Sequence, residues 1–358
     1  MVQITSIWAV YAILGLRTIA SASVIHDRQT AAAQVVKLAS VENLAVRSNG
    51  QILATNMNSP NLYIVDPVAK TSKTVVVITG ATGLSGIAEV TPDVFAVIGG
   101  KGIHKVDFTG TTPVATLIKS ITEANNLNGL TAFSNDTVLV ADAGKGSVYR
   151  FSISTGAYSV AITDPTMAPS GSIPFGIDGI RYKDGVVWYT NIFKNSFHKV
   201  PVDAIGKATG AVTTLWTNLM GDDLCFGPNG KIYIATNGKN SIVEVDPAVG
   251  KPTAIATVSG STSCGFGRTE KDKNVIYLLF YLLTLLLLFL VSLEPRELSI
   301  MSDDYLLLST TLVANEVLLH RIVNEIITVA NLNALEVISS MIMANGFGID
   351  FVSTGKRR

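Results

Sequence analysis

Short runs in which apolar and polar residues alternate recur along most of this chain, each flanked by glycine, asparagine, aspartate or proline. Runs such as "NLYIVDP", "GIHKVDF", "GSVYRFS", "NSFHKVP" and "NSIVEVDP" have the period of two that a half-buried strand requires. Before each of these runs comes a second, more apolar stretch ("QILAT", "DVFAVI", "TVLVAD", "VVWYT", "KIYIAT"), entered through a tight turn. The turns fall at Asn49-Gly50, Pro92-Asp93, Asn135-Asp136, Asp184-Gly185, Asn229-Gly230 and Lys273-Asn274, at intervals of 43 to 49 residues. Stretches such as "TSKTVVVIT" and "GAVTTLWT" supply a further strand to each repeat. One small twisted sheet cannot bury both faces alone, so a repeat of this length built from four short strands predicts the blade of a β-propeller. The expected fold is therefore all-β, a six-bladed propeller of innermost strands around an axial channel.

The sixth repeat starts regularly at "STSCGFGRTEKDKNVIY" and then breaks the pattern, because residues 277–293 ("YLLFYLLTLLLLFLVSL") contain no charge. The sixth blade is expected to be incomplete, with an atypical apolar and then helical tail over 278–358. Three readings of residues 277–293 stand open. They are a membrane anchor at the lower limit of spanning length, a buried helix, or sequence read through an intron or in a shifted frame. Arg268, Lys271 and Lys273 before the run, and Glu294, Glu297, Asp303 and Asp304 after it, argue against an anchor on an exported protein. At the other end, the apolar stretch from Ile4 to Leu16 and the Ala20-Ser21-Ala22 site predict a signal peptide over 1–22, a propeller over 23–277 and a secreted protein. Asn135 heads the sequon Asn135-Asp136-Thr137 and is an expected glycan acceptor.

The chain has 358 residues, 27 Lys plus Arg against 27 Asp plus Glu, and only 15% charged residues, which excludes an electrostatic grip on nucleic acid. "GATGLSG" and "IGGKG" lack the strand-to-helix context of a phosphate loop, so they read as hairpin glycines and no nucleotide cofactor is expected. His26, His104, His198 and His320 are scattered, with His104 and His198 at equivalent strand positions away from the channel. Cys225 and Cys264 lie in the innermost strands of adjacent repeats but one residue out of register, which leaves both a disulfide and two buried thiols open.

Aligning the six repeat openings places Glu42, Ser85, Asn128, Asp178, Asp222 and Thr262 at one equivalent position. Repeated around an axis, that position becomes a polar ring at one mouth of the channel. Oxygen donors of this kind suit Ca²⁺ or Mg²⁺. Glu42, Asn128 and Asp178 are the candidate catalytic and metal-binding residues, and Ser85, Asp222 and Thr262 the candidate substrate contacts. Asp223 is an alternative to Asp222 as the inward-facing residue.

"ENLAVRSNGQIL", "NGLTAFSNDTVLVAD" and "GIDGIRYKDGVVWYT" resemble blade openings of the SMP-30/gluconolactonase-like propellers over about residues 40–277. The resemblance implies a divalent metal bound by Glu42, Asn128 and Asp178. "ENLAVRSNGQIL" with "SCGFGRTEKDKNVIY" is most similar to a fungal secreted branch that includes hetero-Diels–Alderases. That branch implies a cyclase acting on a small apolar organic substrate, joining a tropolone-derived quinone methide to a terpene alkene in meroterpenoid synthesis. A metal-dependent lactonase is the alternative, and a non-catalytic binding propeller the third reading.

Overall fold

The structure, a computed structural model, describes residues 33–171, 173–258 and 260–280. The expected signal peptide, His26, His320, the helical tail and all but the first four residues of the 277–293 segment lie outside the described residues.

Every element of consequence is a strand, and each expected tight turn joins the first two strands of a sheet. The first blade is β1 (Val41–Val46), β2 (Ile52–Asn56), β3 (Asn61–Asp66) and β4 (Thr71–Val77), and the second is β5 (Leu84–Thr91), β6 (Val94–Gly99), β7 (Gly102–Asp107) and β8 (Val114–Ser120). The third is β9 (Leu127–Ala132), β10 (Thr137–Asp142), β11 (Ser147–Ser152) and β12 (Tyr158–Thr163). The fourth is β13 (Ile177–Lys183), β14 (Val186–Asn191), β15 (Ser196–Pro201) and β16 (Thr213–Thr217), and the fifth β17 (Leu224–Phe226), β18 (Ile232–Thr236), β19 (Ser241–Val245) and β20 (Pro252–Thr257). All neighbouring strands within a blade pair antiparallel in sequence order. At the β13–β14 turn both Asp184 (φ 51°) and Gly185 (φ 78°) are left-handed, the combination that a two-residue hairpin needs to match strand twist.

The expectation of six blades is corrected to five. In the sixth position the described residues form only a two-stranded sheet, β21 (Ser261–Phe266) with β22 (Ile276–Phe280). The apolar run therefore begins as strand, since Tyr277–Phe280 belong to β22. No helix among the described residues is long and apolar enough to cross a membrane.

The two-stranded sheet still closes the ring, because the innermost strands touch in the order β1, β5, β9, β13, β17, β21 and back to β1. The core lies between sheets rather than within them. Leu53 and Leu62 pack with Phe95 and Val97 between the first two blades, and Ala96 and Ile98 pack with Leu130 and Val140 at the next interface. The final interface is the thinnest: Leu44, Val46, Ile52 and Val65 meet Tyr277 and Leu279, helped by Val35, Val36 and Leu38. Outermost strands such as β4 are largely exposed, as their polar alternation requires.

Cys225 and Cys264 are joined as a disulfide across β17 and β21, with Cα atoms 5.7 Å apart. The offset of one residue is what face-to-face packing of blades requires: Leu224 points into the core shared with the fourth blade, whereas Cys225 points the other way, into the core it shares with Cys264. "IGGKG" is the β6–β7 hairpin. "GATGLSG" is a correction: it carries the chain from outermost β4 back to the axis at β5, because a four-stranded blade must return there to start the next.

Candidate functional site

The ring position is a bulge position, which explains how polar side chains come to face the axis from strands that are otherwise apolar. Register shifts fall between Val41 and Leu44, Leu84 and Ile87, Ile177 and Ile180, and Ser261 and Ser263, spanning Glu42, Ser85, Asp178 and Thr262. In β9 the shift lies where Leu127 and Leu130 face Asp142 and Val140, spanning Asn128. Bulges re-aim a side chain at a site. Glycine follows three of these residues, and it must. A Cβ on Gly86 would lie 2.6 Å from the Asn128 carbonyl oxygen, one on Gly129 2.3 Å from that of Asp178, and one on Gly179 2.6 Å from Asp223 Cα. Neighbouring innermost strands approach too closely for a side chain there.

Glu42, Ser85, Asn128, Asp178 and Asp222 all line one cavity of about 460 Å³. Thr262 does not: it is fully buried, and its hydroxyl has no hydrogen-bond partner among the described residues. Asp222 and Asp223 both face inward, at different depths. Asp222 lines the cavity, while Asp223 accepts from Arg181 below it at 2.6 Å. Asn128 Nδ2 donates to Asp178 Oδ1 at 2.6 Å, and Asn237 Nδ2 donates to Asp222 Oδ2 at 3.1 Å. Ser85 Oγ donates to the Leu127 carbonyl at 3.2 Å.

Burial, and after it repulsion among neighbouring carboxylates, raises all three carboxyls above their ordinary range. Burial, then the charge of Asp223, pushes Glu42 up to about 7. Burial, then Glu42 and Asp223, holds Asp178 well above the usual carboxylate range. Asp222 is raised by burial and by Asp178 and Glu42, against the partial opposition of the Asn237 hydrogen bond.

Met57, Leu84, Leu127, Phe175, Ile192 and Phe193 give the same cavity an apolar lining, in which the Phe175 and Phe193 rings pack edge to face at 5.9 Å. Thr82 and Gly83 of the β4–β5 crossover also line the cavity, and a Cβ on Gly83 would strike the Met57 carbonyl oxygen at 1.9 Å. Asn125 and Asn126 complete the rim, their backbone amides held by the buried Asp142 at 2.9 Å and 3.0 Å. Sequence reading missed this apolar lining, because Phe175 and Phe193 sit in connections that the repeat does not constrain. Asn237 gave no repeat signal either, since its equivalents, the first residues after β2 and β14, are the apolar Met57 and Ile192.

Among the described residues no group of three or more His, Cys, Asp or Glu side chains is arranged to hold a metal ion. The donor chemistry of the cavity nevertheless fits a hard cation. Glu42, Asp178 and the Asn128 amide offer oxygen, and a cation would offset the repulsion that raises the two carboxyls. His198 is held within its blade: burial pushes it down to about 4, and its ring is hydrogen-bonded with Ser196 Oγ at 2.8 Å and Thr214 Oγ1 at 3.1 Å. Asn135 is exposed in the bend between β9 and β10.

Fold and site together define an all-β propeller whose blade openings bring acid and amide side chains to one cavity. Among solved structures, the calcium-binding protein regucalcin from Agrobacterium tumefaciens superposes with a TM-score of 0.53 at 18% identity, covering 65% of this chain and 80% of that one. A luciferin-regenerating enzyme gives 0.51 at 14% identity over 64% of this chain and 81% of that one. Both likenesses are of fold. In sequence, the chain is 28% identical over 297 residues to a Phoma sp protein described as "Putative hetero-Diels-Alderase", covering 68% of this chain and 84% of that protein. It is 23% identical over 297 residues to "Putative hetero-Diels-Alderase asR5" of Sarocladium schorii, covering 66% and 74%. No protein-family model matches the chain.

Proposed function

We propose that this protein is a cyclase of hetero-Diels–Alder type, joining a tropolone-derived quinone methide to a terpene alkene. The observation that carries the reading is the cavity of about 460 Å³, lined by apolar side chains together with acid and amide groups. Its volume lies in the usual range for small-molecule sites. Two relatives described as hetero-Diels–Alderases support the same chemistry.

The reaction forms one carbon–carbon and one carbon–oxygen bond while three electron pairs shift, and no atom enters or leaves. It needs no nucleophile and no base. Positioning is the larger share of such catalysis: the apolar lining from Met57 to Phe193 holds the alkene against the heterodiene, removing the entropy of their encounter. Asp178 and Glu42 line the cavity where burial disfavours their charged forms, and as neutral acids they would donate to the quinone methide oxygen, where electron density builds as the ring closes. An acid kept neutral by its surroundings is suited to that role. Asn128 holds Asp178 in place. Secretion belongs to the same proposal, supported by the Cys225–Cys264 bridge and the exposed Asn135.

The convergence of Glu42, Asn128 and Asp178 on one cavity favours a second reading, a metal-dependent lactonase. A bound Ca²⁺ or Mg²⁺ would supply Lewis-acid polarisation of an ester carbonyl. Under that reading Glu42, Asp178 and Asn128 hold the ion. The purified protein is to be incubated separately with a quinone methide precursor plus a humulene-type alkene and with simple lactones, each with and without EDTA. The expected result is cycloadduct formation that survives EDTA. Consumption of lactones alone, abolished by EDTA, overturns the cyclase reading.

A further inference from the structure

Beneath the cavity lies a second polar layer, separate from the lining, built by the residue that follows the ring position in each innermost strand. That residue is glycine in three sheets (Gly86, Gly129, Gly179) and Asn43, Asp223 and Ser263 in the others. The three side chains, from the first, fifth and two-stranded sheets, meet one another. Asn43 Nδ2 donates to Asp223 Oδ2 at 2.7 Å, and Ser263 Oγ lies 3.1 Å from that oxygen and 3.2 Å from Asn43 Oδ1. Arg181 Nη2 donates to the same Asp223 oxygen at 2.6 Å. The remaining lone pairs are used as well, since Asp223 Oδ1 accepts from the Leu224 amide at 2.7 Å and Asn43 Oδ1 from the Leu44 amide at 2.9 Å. Asn43 and Asp223 are each 3% exposed and Ser263 is 0% exposed, whereas the Arg181 side chain keeps 16%.

Buried ion pairs contribute less to stability than apolar packing of the same volume. A layer of this kind across a channel therefore calls for another use. A quinone methide is an electrophile, and water competes with the alkene for it. Water oxygen bonds to the exocyclic methylene carbon, its proton passes to the ring oxygen, and an alcohol replaces the cycloadduct. Bound substrate covers the cavity mouth, but nothing in the substrate covers the axis below.

We propose that Asn43, Asp223, Arg181 and Ser263 seal the axial channel under the cavity and keep water from the reacting heterodiene, an inference that rests on the cyclase reading. The seal acts by filling space, so neutral fillings of different size separate it from a role in charge. The paired variant Arg181→Met with Asp223→Asn keeps the volume, and Arg181→Ala with Asp223→Asn removes it.

The test is a single-turnover reaction with the full chain in excess over quinone methide precursor and alkene, in isotopically labelled water, reading the ratio of labelled alcohol to cycloadduct. The ratio is expected to rise about tenfold in the Ala pair and to stay within about twofold of wild type in the Met pair. An unchanged ratio in the Ala pair, or the same rise in both, overturns the seal. Should the Ala pair not fold, Ser263→Gly opens the same layer and is expected to raise the ratio about threefold, with no rise again overturning it. If wild type makes no cycloadduct, the cyclase reading itself has failed. If it makes cycloadduct at one ratio across all variants, only the seal has.

Discussion

Glu42 carries the clearest conflict between stability and use in the molecule. Its carboxyl is raised from 4.5 to about 7, so the folded chain binds that proton more tightly than the unfolded chain does. Below about pH 4.5 the side chain is neutral in both states and its burial has no electrostatic cost; the cost grows as pH rises towards 7 and is complete above it. Glu42→Gln, which has no charge to bury, should therefore stabilise the protein at pH 8 by about 1–2 kcal/mol, allowing for the opening of this side chain onto the cavity, and by nothing near pH 4.5. Thermal unfolding at the two pH values checks this, and an equal gain at both would contradict it. Activity should move the other way. Removing the carboxyl with Glu42→Ala should lower the cycloaddition rate by about tenfold to a hundredfold, as loss of one transition-state donor does.

At the scale of the strand, the bulge and the glycine behind it act together. Gly129→Ala should cost about 1–3 kcal/mol through contact with the Asp178 carbonyl, lowering the melting temperature by several degrees, whereas Gly110→Ala, whose nearest neighbour is Thr112 O at 3.8 Å, should be neutral. Equal melting temperatures for the two variants would contradict the packing argument. Turns such as Asp184-Gly185 were legible in the sequence because their backbone demands glycine or asparagine, and the ring residues were legible because a repeat places them at one phase. Asp142 was not, since its task is to hold the amides of Asn125 and Asn126, and no spacing announces that. Arg181 was hidden for a related reason. Its partner Asp223 is 42 residues away on another blade, and the bulges break the alternation that would have marked both as inward. Phe175 and Phe193 belong to connections that the repeat does not constrain.

For the whole molecule, closure is the weak point. Among the described residues the ring ends on a two-stranded sheet whose core with the first blade is the thinnest between sheets, and the Cys225–Cys264 bridge ties that sheet to the fifth blade instead. With the cysteines 39 positions apart, removing the bridge should cost about 4 kcal/mol on the chain-entropy account. In the paired Cys225→Ser, Cys264→Ser variant, hydrogen exchange should accelerate first in β21 and β22, with β9 and β10 little changed. Uniform acceleration would show that the sixth sheet is not the seam. The sixth blade was also the least legible in sequence, because the uncharged run that begins at Tyr277 was open to an anchor, a buried helix or read-through sequence, none of which anticipates the strand that its start forms.

The central claim is that a cavity of about 460 Å³ holds heterodiene and alkene in one relative orientation. The enantiomeric ratio of the cycloadduct formed by the purified protein tests this most directly, since the free reactants meet on either face. The account predicts one predominant enantiomer, with selectivity falling in Phe193→Ala and the rate falling in Asp178→Asn. A racemic product formed at the uncatalysed rate would contradict it.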